Sequence, residues 1–292
     1  MTTEDEIYRE LQRQARQVGR GSIELMTLYV LEGFLARVAK SQFSQHLVLK
    51  GGVLLAAWNA RRPTRDIDFV ALDTSNNTKN LLNICCDIAS ISQVDGIAFD
   101  TASASAITIR DDDEYSGVRV SMPARIATAQ IAFHIDINVG DPIVPGAVQV
   151  DYPRILNSSI RIQLLGYPIS MVLAEKIVTA VQRGTASTRW RDFGDIYNLS
   201  RIHSLSLKEL RMSIDAVSNH RMVEAVALRE VLLDYSQIGQ TKYENWRIRQ
   251  DRLELPEDFG ELLETVYIFA DPILGGSALE PAMWDPLKSV WH

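Results

Sequence analysis

Asp66-Ile67-Asp68-Phe69-Val70 is the segment whose residue types and spacing point most directly to chemistry. Read as a strand, it places side chains two apart on one face, so Asp66 and Asp68 point together while Ile67 and Phe69 point into a core. Carboxylates so arranged repel unless positive charge lies between them. A divalent cation meets that need, because hard cations prefer oxygen ligands. Magnesium also keeps open positions for phosphate oxygens, so the pair predicts phosphoryl chemistry. Taken alone, the same residues would also fit a solvated strand end. Gly51-Gly52 adds a second element, with Gly52 14 positions before Asp66. Glycine lets backbone approach a ligand closely, and the start of a helix expected over Val53 to Asn59 favours phosphate. An ordinary strand-to-helix turn is the alternative.

Phe133-His134-Ile135-Asp136-Ile137-Asn138-Val139 alternates strictly, with Asp136 on the polar side. Sheet pairing would bring Asp136 beside Asp66 and Asp68, as a third metal ligand or a base, since two-metal sites need about three carboxylates. A merely wet face is the alternative, and His134 is expected at the strand surface rather than as a ligand. In the helix that Pro168 opens, Ile169, Val172, Leu173 and Ala180 form a stripe, Lys176 falls inside it and Arg183 near its edge. A cation on a packing face costs free energy unless paired. The expected partners are the carboxylates above or nucleotide phosphates, with snorkelling of the long stem as the alternative. Asp192 and Asp195 share a helix face further on, and Asp192 could pair with Lys176 and fix it.

These groups need elements to hold them. Helices are expected over 4–20 and 23–40, a strand over His46–Leu49, a basic turn at Arg61-Arg62-Pro63-Thr64, and a helix over 78–91. Residues 104–150 read as several antiparallel strands with turns at Asp111–Asp113 and Gly140–Pro142. Beyond the helix from Pro168 to Gly184, further helices are expected over 190–201, 206–217, 220–235 and 257–270. A boundary near 165 separates an α/β domain (1–165) from a helical domain (166–292).

With 46% apolar residues and a formal net charge of −7, the chain has a core's worth of apolar side chains and is not a basic nucleic-acid coat protein. Any nucleic acid must meet a local patch. Two stretches qualify: Lys176, Arg183, Arg189 and Arg191 around Trp190 as a stacking face, and Lys242, Trp246, Arg247, Arg249 and Arg252. Solvated helix faces are the alternative for both. The charged N-terminus lacks a secretory signal, no run is apolar enough for a membrane span, and the adjacent Cys85 and Cys86 suit a reduced, cytoplasmic setting.

The ordered set Lys50-Gly51-Gly52, Arg65-Asp66-Ile67-Asp68-Phe69, Asp136, Glu175-Lys176 and Arg189-x-x-Asp192-Phe193-x-Asp195-Ile196 resembles the AbiEii-type nucleotidyltransferase toxins, which include the MenT toxins of mycobacteria. The resemblance runs from about residue 25 to residue 200. It implies an α+β fold: a polymerase-beta-like nucleotidyltransferase core with a mixed or antiparallel sheet, followed by a helical C-terminal domain. It assigns metal and nucleotide binding to Asp66 and Asp68, the family's lysine to Lys176 and its following acid to Asp192. It implies a toxin with a cognate antitoxin that adds nucleotides to the 3′ acceptor end of transfer RNA and blocks translation. In some relatives the antitoxin phosphorylates a serine just before the Asp-x-Asp, and Thr64 holds that place here. Many nucleotidyltransferases carry Gly-Ser where this chain has Gly51-Gly52, which leaves phosphate contact to backbone N–H groups.

The expected activity is therefore Mg²⁺-dependent transfer from a nucleoside triphosphate to RNA. Gly51, Gly52, Arg65, Lys176 and Arg183 would meet the phosphates, and Asp66, Asp68 and Asp136 the metal. Transfer to a protein or small-molecule hydroxyl, or an inactive RNA- or antitoxin-binding module, are the alternatives.

Overall fold

The computed structural model describes residues 4–110, 116–276 and 281–292. The chain divides into two compact units: Met1–Asp141 with Ala147–Tyr167, and Pro142–Gly146 with Pro168–His292. The division differs from a single cut near 165, because a five-residue excursion at Pro142–Gly146 joins the second unit.

In the first unit, helices α1 (Glu4–Gln17) and α2 (Ser22–Val38) lead into strand β1 (Leu47–Lys50) and a one-turn helix α3 (Gly51–Leu54). Then follow β2 (Asp66–Ala71), α4 (Thr78–Ala89), β3 (Ile97–Phe99), β4 (Ser105–Arg110), β5 (Ser116–Ile126), β6 (Ala129–Val139), β7 (Val148–Pro153) and β8 (Arg161–Gly166). The strands form one eight-stranded mixed sheet in the order β3-β5-β6-β2-β1-β8-β7, with β4 on β5. β2–β6 and β1–β8 are parallel, and the remaining pairs are antiparallel. The turn expected at Asp111–Asp113 lies outside the described residues. The helix expected over Val53–Asn59 is instead α3 followed by turns, with Asn59 in the left-handed region.

Alternation along β6 is what sides the sheet. Ile131, Phe133, Ile135 and Ile137 are buried, and Phe133 packs with Phe34 of α2 and with Phe99 at ring separations of 5.9 and 5.7 Å. Each such buried side chain contributes roughly 2 kcal/mol. His134, Asp136 and Asn138 take the opposite face. Helix α2 is buried almost all round, which forces its polar residues into specific pairs. Arg37 grips Asp95, and Glu32 accepts the Ile155 backbone N–H at 2.6 Å. Burial pushes the Glu32 carboxyl up to about 7, partly offset by that hydrogen bond.

The second unit holds α5 (Ile169–Arg183), α6 (Trp190–Ile202), β9 (Leu205–Ser206), α7 (Leu207–Arg221), α8 (Leu228–Val231), α9 (Tyr235–Arg249), α10 (Phe259–Leu274), β10 (Met283–Asp285) and β11 (Val290–Trp291). Ser206 caps α7 through the Glu209 N–H and Asp258 caps α10 through the Glu261 N–H, each with the Ser/Asp-x-x-Glu spacing of a capping box. The helix expected over 220–235 does not form as one piece. Met222 turns left-handed and closes α7, a loop and the short α8 follow, and Asp234 turns left-handed before α9. A three-stranded sheet, β11-β10-β9, was not foreseen. It places Trp284, whose indole N–H donates to the Ser200 carbonyl at 2.6 Å.

Candidate active site

The first unit gathers its charges in one row across the sheet. Lys50 stands opposite Asp68 in the β1–β2 register, Asp68 beside Asp136 in β2–β6, and Asp136 opposite Arg119 in β5–β6. Residues paired across strands share a face, so the row reads Lys50, Asp68, Asp136, Arg119. Asp66 lies two residues before Asp68 on the same face of β2, beside His134, whose Nδ1 is 3.0 Å from the Ser121 hydroxyl. Asp66 and Asp68 are half-buried, and Arg65 is exposed.

Gly51 is required by the place it occupies. Its φ is +66°, and a Cβ there would fall 1.9 Å from Asp68 Oδ2. The Asp68 carboxylate therefore lies directly over the glycine backbone. At Gly52 a Cβ would stand 3.1 Å from both terminal nitrogens of the buried Arg62 guanidinium. The expected close backbone approach exists, and the group it admits in this structure is Asp68. The Lys50 ammonium is 2.6 Å from Asp141 Oδ2, and Thr64, half-buried, donates its hydroxyl to the Asp66 carbonyl at 3.4 Å.

Asp136 stands where sheet pairing was expected to bring it. It lies beside Asp68, but Arg119 Nε and Nη2 donate to its two oxygens at 2.8 and 2.6 Å. The guanidinium is held well above its ordinary range, first by those hydrogen bonds and further by the nearby charges of Asp136, Asp66 and Asp68. Among the described residues no three histidine, cysteine or carboxylate side chains converge to hold a metal ion. The face therefore presents an aspartate pair on β2 and an arginine–aspartate pair next to it. Two carboxylates with Asp68 seated on Gly51 still fit a magnesium ion that takes its remaining ligands from phosphate and water.

Sequence reasoning missed Arg119, although a signal was present. β5 and β6 are joined by the two-residue turn Ala127-Thr128, which pairs Ile126 with Ala129. Counting back from that turn sets Arg119 opposite Asp136.

In the second unit Lys176 is buried within α5 and donates to Asp192 Oδ1 at 3.0 Å and Asp195 Oδ2 at 2.8 Å, both on α6. Its carboxylate partners are these, with Arg189 and Arg252 each 3.9 Å from one of the two aspartates. Arg183 is half-buried at the end of α5. Trp190 offers no stacking face for RNA, because it is 7% exposed and stacks on Tyr235 at 5.5 Å, edge-on to Phe259. The second basic stretch divides likewise. Arg247 is buried on the Leu253 and Leu255 carbonyls and Arg252 is buried against Glu254, while Lys242 and Arg249 are exposed.

A family model described as the nucleotidyl transferase AbiEii toxin of type IV toxin–antitoxin systems matches residues 33–265. The chain belongs to this AbiEii family. Membership makes it a nucleotidyltransferase of a toxin family whose members pair with a cognate antitoxin. Two solved structures share the fold. MenT4, a nucleotidyltransferase toxin from Mycobacterium tuberculosis, is 16% identical with a TM-score of 0.51 over 75% of this chain and 73% of its own. An inferred nucleotidyltransferase from H. pylori is 14% identical with a TM-score of 0.52 over 88% of this chain and 98% of its own. No curated protein matches this AbiEii chain. Among the described residues no helix is long and apolar enough to cross a membrane.

Proposed function

We propose that this AbiEii protein transfers a nucleotide from a nucleoside triphosphate to the 3′-terminal hydroxyl of transfer RNA, and that its cognate antitoxin restrains it. The observation that carries the reading is the Asp66–Asp68 pair on one face of β2, with the Asp68 carboxylate laid over Gly51. Asp66 and Asp68 would hold Mg²⁺, which when bound neutralises charge on the triphosphate and polarises its oxygens. Arg65, exposed beside the pair, would meet phosphate oxygens, and for Gly51 and Gly52 a phosphate-binding role is proposed from their place in the motif order. For Lys176 and Arg183 a phosphate-binding role is proposed from their place in the motif order, with Asp192 orienting Lys176 through the observed hydrogen bond.

In the reaction the RNA hydroxyl oxygen forms a bond to the α-phosphorus, the bond from that phosphorus to the bridging oxygen of the β-phosphate breaks, and pyrophosphate departs. The hydroxyl proton passes to water. Catalysis is positioning and charge stabilisation rather than covalent participation by the protein. Thr64, just before the pair, is proposed as the site of regulatory phosphorylation, since added negative charge there would repel both triphosphate and RNA.

The test is incubation with each labelled nucleoside triphosphate, Mg²⁺ and purified transfer RNA. Label should appear on the RNA 3′ end with the wild type and not with Asp66→Ala. Label on protein or on a small molecule, with none on RNA, would replace the acceptor. An Asp66→Ala protein that still arrests growth would support a binding module instead.

A further inference from the structure

Arg119 is a charged side chain on the sheet face that no expectation covered. It stands opposite Asp136 in a register fixed by the Ala127-Thr128 turn, and it donates to both oxygens of that carboxylate. Asp136 in turn is the immediate neighbour of Asp68 in the β2–β6 register. A guanidinium and a divalent cation carry like charge and compete for the same carboxylate lone pairs, and the two-pronged arginine pair is among the strongest side-chain hydrogen-bonding arrangements. The Arg119 side chain is 35% exposed and that of Asp136 12%, so the arginine is the outer partner and covers the acid.

We propose that Arg119 is a positioning residue that withholds Asp136 from the cation site, so that without nucleotide the protein binds a divalent cation through Asp66 and Asp68 alone. The inference rests on the cation-binding role proposed for those two aspartates. Arg119 thereby sets how many carboxylates the sheet face offers. It also limits the uncompensated negative charge there, since the carboxylates of Asp66, Asp68 and Asp136 all act on the same guanidinium. Third-ligand chemistry at Asp136 becomes available only when another anion takes the guanidinium.

The experiment is titration with Mn²⁺ alone, followed by electron paramagnetic resonance, on full-length wild type, Arg119→Gln, Arg119→Gln with Asp136→Asn, and Asp66→Asn with Asp68→Asn. Arg119→Gln should bind Mn²⁺ about tenfold more tightly, within the range by which partners of ligating groups usually alter metal affinity. Its bound Mn²⁺ should carry one water fewer by pulsed measurement, and adding Asp136→Asn should restore that water. A folded Arg119→Gln protein with unchanged affinity and an unchanged water count overturns the inference. Tighter binding without loss of a water does so too, because through-space charge would then suffice. Should Arg119→Gln not fold, Arg119→Lys keeps the charge, loses the two-pronged grip and should move both readouts the same way by less. Equal Mn²⁺ binding by wild type and the Asp66/Asp68 double variant would instead end the proposed function itself.

Discussion

The two units each collect a lysine and aspartates, but they treat them differently. On the sheet of the first unit, Asp66 and Asp68 remain half-buried at a strand start, with Lys50 opposite Asp68 and Arg119 opposite the neighbouring Asp136. In the second, Lys176, Asp192 and Asp195 are sealed between α5 and α6, with Asp195 only 2% exposed. A half-open carboxylate pair keeps lone pairs within reach of a diffusing ion. A sealed triad holds its charges away from water, and removing one member leaves the others buried without that partner. Residue type is therefore a poor guide to environment: Lys176 and its aspartates are buried, whereas Asp66 and Asp68 are half-buried. It also follows that Lys176 serves the packing of α5 against α6 whatever else it does.

That contrast can be broken by substitution. The largest expected effect is Asp68→Asn, which should lower nucleotide transfer by about a thousandfold or more, roughly 4 kcal/mol of barrier, with a melting curve close to wild type. A variant that unfolds instead would make Asp68 structural, like its counterparts in the second unit. Next comes Lys176→Met, which strands two buried carboxylates and should reduce stability to denaturant by about 3 kcal/mol. Full stability in that variant would show that the triad is no clamp. Glu32 sharpens the point, as a buried carboxylate held by a backbone N–H. Its folded value lies above its ordinary one of 4.5, at about 7, so its contribution to stability is greatest below 4.5 and declines as pH rises to about 7. Glu32→Gln should abolish a decline of about 2 kcal/mol between roughly pH 5 and pH 7, measured by denaturation at each pH. The smallest effect on folding is expected for Gly51→Ala. A left-handed non-glycine residue costs about 1–2 kcal/mol, and displacement of Asp68 should appear as a loss of transfer larger than that loss of stability explains.

How much of this was legible beforehand depended on the range of the interaction. The shared face of Asp66 and Asp68 is a consequence of strand geometry two residues apart, and the helix starts at Ser206 and Asp258 follow from capping spacings four residues long. The side-by-side placement of Asp68 and Asp136 needs a parallel pairing of strands far apart in sequence, which alternation restricts to a face without specifying a partner. Arg119 was within reach through the short hairpin. Trp190 was misread because an aromatic flanked by arginines looks like a nucleic-acid platform, whereas its size is used to fill a cluster with Tyr235, Tyr243 and Phe259. The expected 220–235 helix failed because periodicity across Met222 and Asp234 is blind to backbone sign.

The excursion at Pro142–Gly146 decides how this protein can be taken apart. The polypeptide passes between its units at 141/142, at 146/147 and again at 167/168, so no single cleavage yields both pieces whole. A fragment stopping at 141 would forfeit β7 and β8, and with them the parallel neighbour of the strand that ends in Lys50. One starting at 168 would lack Val144, whose carbonyl receives the Ser213 hydroxyl at 3.1 Å. Shortening studies, protease mapping and fusion designs should treat residues 141–168 as shared property, and transplanting either half into a relative must carry that stretch along.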